Sequence, residues 1–285
     1  MALMRCARAN DAPAIAAFLA PRIATSMFLL SNLEAHGLDG SAHPHATRYL
    51  LDTDAQGALV GVLGCTQGGY LMCQHPGLTR QKVETFLTAL GAQRLLGVTG
   101  EAAQVAQIIA ALNARGADWL KDSAQPLFTR SLDDLTPPVV ALRRPDAHDR
   151  AMLVRWFAQY LRETGQPATG DDCDRAAMHA LTQGQARLLE GPDGTAIGMT
   201  IFNARAGDAV QVGGVFVQPA HRGQGHSGRM VAAHLWQARA QGVRRALLFA
   251  TSVAAARAYQ RIGFRQIGSY RIAMLANPLP LGAAA

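Results

Sequence analysis

Short β-type runs and amphipathic helical runs alternate along the chain in two stretches of similar length. A polar, proline-containing segment, Ser131-Leu132-Asp133-Asp134-Leu135-Thr136-Pro137-Pro138, separates them. After it, Val139 to Arg143 reads as a strand. Asp146 to Glu163 reads as a helix, because Met152, Leu153, Trp156, Phe157, Tyr160 and Leu161 recur at spacings that share one apolar face. Asp171 to Leu181 predicts a second helix. Arg187 to Glu190, the turn Gly191-Pro192-Asp193-Gly194 and Thr195 to Phe202 predict a hairpin. Val210 to Val217 is a β-branched and aromatic run that stops at Pro219, and Arg229 to Gln241 is again helical in pattern. Ala246 to Ala250 is continuously apolar, as a buried strand is. Ser252 stands where a helix N-cap belongs, and Gly263 where a C-cap glycine does. Phe264 to Tyr270 and Arg271 to Leu275 predict two closing strands around Ile267-Gly268-Ser269.

The first stretch repeats this order more loosely. Met4 to Ala7 reads as a strand, Ala12 to Ala20 and Ser26 to His36 as helices, and Arg48 to Leu51, Ala58 to Gln67 and Gly69 to Cys73 as strands. The helix Gln81 to Gly91, the run Arg94 to Val98 and the helix Ala102 to Asn113 follow.

Chemistry enters between Val217 and the helix at Arg229, in Arg222-Gly223-Gln224-Gly225-His226-Ser227-Gly228. A strand, a glycine turn and a helix N-terminus can hold a phosphate, since the glycines admit close backbone approach and the N–H groups converge under the helix dipole. The turn lacks the Gly-Lys-Ser/Thr ending of the nucleotide-triphosphate loop and the later acidic residue of the dinucleotide fingerprint. It resembles the pyrophosphate turn of the GNAT N-acetyltransferase superfamily, Arg/Gln-x-x-Gly-x-Gly/Ala after a strand ending in Val-x-Pro, with Ser227 in place of the last small residue. A second motif of that superfamily, Asn-x-x-Ala-x-x-x-Tyr-x-x-x-Gly-Phe, is matched by Ala255, Tyr259 and Gly263-Phe264, with Ser252 in place of the Asn. The resemblance covers about residues 139 to 275. In the first stretch the corresponding turn, Gln74 to Gln81, has no Gly-x-Gly, and no tyrosine lies on the helix 102–113.

The fold class this implies is α/β (α+β): two tandem GNAT-like domains, each a mixed, mostly antiparallel sheet flanked by helices. Residues 1–134 would be a degenerate GNAT-like domain without a cofactor turn, 139–276 the catalytic domain and 277–285 a loose tail. An unrelated α/β domain stays open as the reading of the first half.

Composition narrows the partners. Charged residues are 16 % against 49 % hydrophobic, enough for a sizeable core in each half, and no apolar run approaches the ~20 residues of a membrane span. Arg5, Arg8 and Asp11 interrupt any signal-peptide pattern. Cys6, Cys65, Cys73 and Cys173 form no Cys-x-x-Cys pair, which fits a reducing cytoplasm. His36, His43, His45 and His75 lack the spacing of a metal site, so no metal is expected. The net charge is +7, with a local excess of arginine after Arg222. A basic rim for the phosphates of coenzyme A accounts for it, and no aromatic-interleaved basic stripe points to nucleic acid.

The resemblance assigns the roles. Acetyl-CoA is the expected acyl donor and an amine, of a small molecule or a peptide, the acceptor. Backbone groups of Val215, Phe216 and Val217 would pair with pantetheine, and an N–H near Val215 would face the thioester carbonyl. Arg222, Gly223, Gln224, Gly225, His226, Ser227 and Gly228 would hold the pyrophosphate, Ser252 would make a further contact, and Tyr259 would be the general acid. Strand residues 209–217 and 246–250 carry no acid. Asp208 at the start of the fourth strand or Glu190 on an earlier one could act through water, or the amine could arrive neutral, and neither is assigned as general base. A non-catalytic acyl-CoA-binding module and a nucleic-acid-associated factor are the alternatives, and a homodimer stays open.

Overall fold

The computed structural model describes residues 4–38 and 40–281. Among the described residues, twelve strands and eight α-helices follow the predicted order closely. They form two compact units, residues 4–125 with 268–281, and residues 126–267.

In the first unit the order is β1 (Arg5–Cys6), α1 (Ala12–Leu19), α2 (Ile23–His36), β2 (Thr47–Thr53), β3 (Leu59–Thr66), β4 (Tyr70–Gln74), α3 (Arg80–Leu90), β5 (Arg94–Glu101), α4 (Ala102–Asn113) and the start of β6 (Trp119–Ser131). Strands β1 to β4 pair antiparallel in sequence, and β4 pairs parallel with β5 through Tyr70↔Gly97 to Cys73↔Gly100. Its core joins Leu50, Leu63 and Leu71 to Val83, Phe86 and Leu87 of α3 and Val105, Ile108 and Leu112 of α4. Ala9–His36 is long and apolar enough by composition to cross a membrane, which the sequence reading missed as one stretch. Its apolar face, including Ile15, Leu19, Ile23, Met27 and Leu30, is buried within the protein.

The second unit takes the end of β6, β7 (Leu142–Arg143), α5 (Arg150–Glu163), α6 (Gly170–Thr182), β8 (Ala186–Glu190), β9 (Ala196–Ala206), β10 (Ala209–Val217), α7 (His226–Arg239), β11 (Arg245–Phe249) and α8 (Val253–Arg261). Its sheet order is β6-β11-β10-β9-β8-β7, in which β10 and β11 are the parallel pair. Two clusters cover the sheet: Val231 and Leu235 of α7 with Val210, Val212 and Leu248, and Trp156 and Phe157 of α5 with Leu188, Met199 and Phe216.

Two expectations are corrected at the C-terminus. The closing pair of strands is one strand, β12 (Arg265–Pro280), which runs through Gly268 because that residue keeps extended backbone rather than turning. From Tyr270 onward β12 pairs antiparallel with β5 of the first unit, so residues 277–280 are strand and not tail, and residues 282–285 lie outside the described residues. Leu127 to Ser131 of β6, from the first half of the sequence, pair with β11 of the second unit. The halves thus exchange strands, and the division of the chain differs from the expected 1–134 and 139–276.

Candidate active site

The second unit carries an opening in its sheet. Pairing of β10 with β11 runs from Ala209↔Arg245 to Val212↔Leu248 and stops there. On its other side β10 stays paired with β9, through Phe216↔Met199 and Val217↔Gly198, after a register shift beyond Gly213. Gly213 and Gly214 explain the shift. A Cβ at Gly213 would sit 1.9 Å from Asn203 Nδ2, and Gly214 has φ +54°, a conformation other residues rarely adopt. The bulge turns the strand, leaving the backbone of residues 213–217 without a β11 partner. An extended amide-bearing ligand could pair with that edge as a strand would.

The glycine turn lies at the end of the same strand. Gly223 (φ +78°) and Gly225 (φ +75°) are left-handed, and a Cβ on either would point into open space. Gly225 is the N-cap of α7 and supplies no side-chain cap, so the first N–H groups of the helix, at His226, Ser227 and Gly228, have no intrahelical acceptor. Gly228 is buried, and a Cβ there would meet Ile262 at 3.4 Å, so glycine lets α7 approach α8. Arg229 bonds the Gln224 carbonyl and fixes the turn. Arg222 donates from Nε to the Val217 carbonyl at 2.9 Å and from Nη2 to Glu163 at 2.9 and 3.0 Å, with its guanidinium 5.6 Å over the Phe216 ring. His226 is pushed below the usual histidine range by burial, then by the charges of Arg229 and His221, so its ring is neutral near pH 7.

The side chains of the strand residues point elsewhere. Phe216 packs against Trp156 in the core and Val217 is buried, so what these residues offer the opening is main chain. Ser252 caps α8, its hydroxyl oxygen accepting from Ala255 N at 3.1 Å.

Tyr259 is buried on α8, with its ring edge-on to Phe264 at 6.1 Å. Burial, and then the nearby Tyr160, push its phenol above the usual tyrosine range. Tyr160 of α5 is also raised by burial, against the pull of a hydrogen bond from the Gly214 backbone. The sequence marked Tyr160 only as one residue of an apolar face. The Gly-Gly pair inside a strand run was the available sign that something meets the backbone there.

The carboxylate at this group is Glu163 of α5, held by Arg222; neither acid considered from the sequence joins it. Asp208 lies at the opposite end of β10, where its carbonyl accepts from Arg244 and Arg245. Glu190 is on β8, held by Arg143 at 2.6 Å.

The first unit differs at the matching place. Strand β4 stays paired with β5 to Cys73, one residue short of its end, and no glycine between Gln74 and Gln81 is left-handed. His75 turns inward there: it is 1 % exposed and bonds Asp52 at 2.7 Å, and Lys82 bonds the same carboxylate oxygen at 2.7 Å. Among the described residues no group of His, Cys, Asp and Glu could hold a metal ion.

Residues 188–266 match the family model "Acetyltransferase (GNAT) domain". Solved structures resemble the fold across the chain. A GCN5-related N-acetyltransferase from Sphaerobacter thermophilus is 17 % identical, with 100 % of this chain and 98 % of that one covered at a TM-score of 0.57. A Drosophila protein is 15 % identical over 96 % and 99 %, with a TM-score of 0.66. A tandem GNAT protein from the clavulanic acid biosynthesis pathway is 14 % identical over 100 % of both chains, with a TM-score of 0.50. A comparison with curated proteins returns no match. Residues 188–266 thus carry a match to the GNAT acetyltransferase domain, inside a fold similar to that of tandem GNAT proteins.

Proposed function

We propose that the chain transfers an acetyl group from acetyl-CoA to a primary amine, of a small molecule or a peptide, by direct attack in a ternary complex in the cytoplasm. The observation that carries this is the coincidence of an unpaired strand edge, residues 213–217, with an uncapped helix N-terminus behind two left-handed glycines. The residues present suit the donor: the glycines leave open space where a phosphate would meet the N–H groups, and the strand edge offers main-chain donors and acceptors. Acetyl-CoA supplies an acyl group activated as a thioester. Backbone N–H groups of the bulged edge, held by the sheet, are placed to bind a developing oxyanion without reorganisation.

Tyr259 keeps its proton throughout the physiological range, since burial raises its pKa. A phenol so raised is a weaker acid than a free one, but burial raises thiols too: Cys65 and Cys73 are pushed up to about 12. A leaving thiolate shielded from water beside Tyr259 would be raised in basicity by the same desolvation, and could take the phenolic proton. Strand β10 carries no carboxylate between Ala209 and Val217, and Glu163 is held by Arg222, so the amine enters neutral or loses its proton to water.

The test is release of free thiol from acetyl-CoA against a panel of amines. Tyr259→Phe should keep acetyl-CoA affinity, because the ring and its packing against Phe264 survive, and turnover should fall roughly 10²-fold or more. That loss should shrink with a thioester of lower thiol pKa. Equal loss with both donors would make Tyr259 structural. A non-catalytic acyl-CoA-binding role is the second reading, favoured by the lack of an acid on strand residues 209–217 and by Ser252 in place of Asn, and tight binding without thiol release would select it.

A further inference from the structure

Arg187, at the start of β8, is 6 % exposed and has no acidic partner among the described residues. It donates from Nε to Gln237 at 2.7 Å and from Nη1 to the carbonyls of Gly184 and Ala186 at 2.8 and 2.7 Å, and among the described residues Nη2 makes no such bond. A guanidinium cannot shed its proton to escape burial, so an unneutralised one inside a protein is costly. Arg144 lies close enough to act on it as a like charge, which burial alone already disfavours. Glu190, on the same strand, is engaged elsewhere, because Arg143 holds both it and Asp149.

His234 of α7 adds a second, independent oddity. Its ring stacks on Phe202 with centroids 3.7 Å apart, it is 2 % exposed, and its Nδ1 is buried without a hydrogen-bond partner. Burial, then the charge of Arg187, push its pKa down to about 3, so the ring is neutral and can donate from one nitrogen. Arg144, Arg187 and His234 line one cleft of about 360 Å³ together with Gln237 and Gln241, and none of its lining residues is acidic. That volume is near the lower end of small-molecule sites, about 300 to 1,000 Å³.

We propose that this cleft is a binding site for a small oxyanion, a phosphate or carboxylate group of a small molecule, held by Arg187 and Arg144 with His234 as a neutral donor. The site is distinct from the glycine turn. His226 opens α7 at the turn, whereas His234 is eight residues farther on, about 12 Å along the axis. The proposal does not rest on acetyl transfer and stands if that reading fails. An oxyanion would neutralise the buried guanidinium and give both Nη2 and the imidazole N–H a charged acceptor.

Isothermal titration of the full chain with inorganic phosphate, and separately with succinate, against chloride of equal ionic strength tests it. Saturable binding by at least one of them is expected, with the His234 imidazole nitrogen resonances shifting on addition. Phosphate alone would assign a phosphoryl ligand, and succinate alone a carboxylate. Arg144→Ala removes an exposed side chain and should weaken binding about tenfold or more while melting like the wild type, and Arg187→Gln should abolish it. If Arg187→Gln fails to fold, Arg144→Ala and the His234 resonances decide. No binding above chloride overturns the proposal. So does binding unchanged in Arg144→Ala but lost in Gly225→Trp, which would put the anion on the glycine turn.

Discussion

Replacing Gly225 by alanine separates the conformational demand of the glycine turn from its space. At φ +75° a Cβ at residue 225 meets nothing within 4 Å, so the substitution causes no clash in the free protein. What it costs is the left-handed backbone itself, about 1–2 kcal/mol for a residue with a Cβ. Either the turn holds and the fold loses that stability, or it relaxes and the N–H groups of His226 to Gly228 must be realigned each time a phosphate binds. The second route alone weakens binding by about 5- to 30-fold, since about 1.4 kcal/mol is a factor of ten. The Cβ also projects into the space an approaching phosphate would use, which adds to the loss. Gly242 provides the control: it is left-handed at φ +90°, has equally open space around it, and lies beyond the far end of α7. Gly225→Ala and Gly242→Ala should carry similar strain in thermal melts, yet only the first should weaken acetyl-CoA in calorimetric titration, by tenfold or more. Unchanged affinity in Gly225→Ala, or an equal loss in Gly242→Ala, would refute the assignment of the turn.

Further outcomes follow from the two units. Titration of the full chain should saturate at one acetyl-CoA, since β4 is paired almost to its end and His75 fills the turn after it; a stoichiometry near two would overturn the stripped-site reading of the first unit. Asp52→Asn should cost about 3–5 kcal/mol in denaturant unfolding, as it takes the counter-charge from Lys82 and a charged hydrogen-bond partner from the buried His75. Burial pushes the Asp52 carboxyl up, but Lys82 and His75 outweigh it, so its folded pKa lies below the ordinary value. Its stabilisation is therefore present above pH ~4 and lost as the pH falls through the lower folded value, and the Asp52→Asn variant should show a flatter acid limb. Tyr160→Phe removes the acceptor for the Gly214 backbone and should lower stability by about 1–3 kcal/mol, with a melt equal to wild type as the refuting result.

Much of this architecture was legible because it is local. The helical face of Trp156 and Phe157, the cap at Ser252 and the glycines at 223 and 225 are each dictated by neighbours within a few residues, and each falls where the pattern put it. The misses are non-local. Whether Arg265 to Pro280 closes its own sheet or pairs with β5 depends on residues more than 150 positions away, and alternation along the strand is the same in both cases. Likewise nothing adjacent to His75 announces Asp52, and Tyr160 looks like a core residue until the bulge at Gly214 is known to meet it.

The two units differ at the place where acetyl-CoA is proposed to bind. Each has a parallel strand pair followed by a helix, β4 with α3 and β10 with α7. In the first, Thr79 caps α3 by accepting from Lys82 N, so the helix spends an N-terminal donor on its own side chain. In the second, the cap is a glycine with no side chain, and that donor stays available. In the first, the strands remain paired and leave no edge for a ligand; in the second, the pairing with β11 ends at Val212, where the two glycines of the bulge begin. Restoring Gly-x-Gly to residues 74–81 would therefore not be enough to confer binding. The paired edge of β4, the capped helix and the buried His75–Asp52–Lys82 cluster would each still block it, and only a combined change that opens the strand should produce a second titration event.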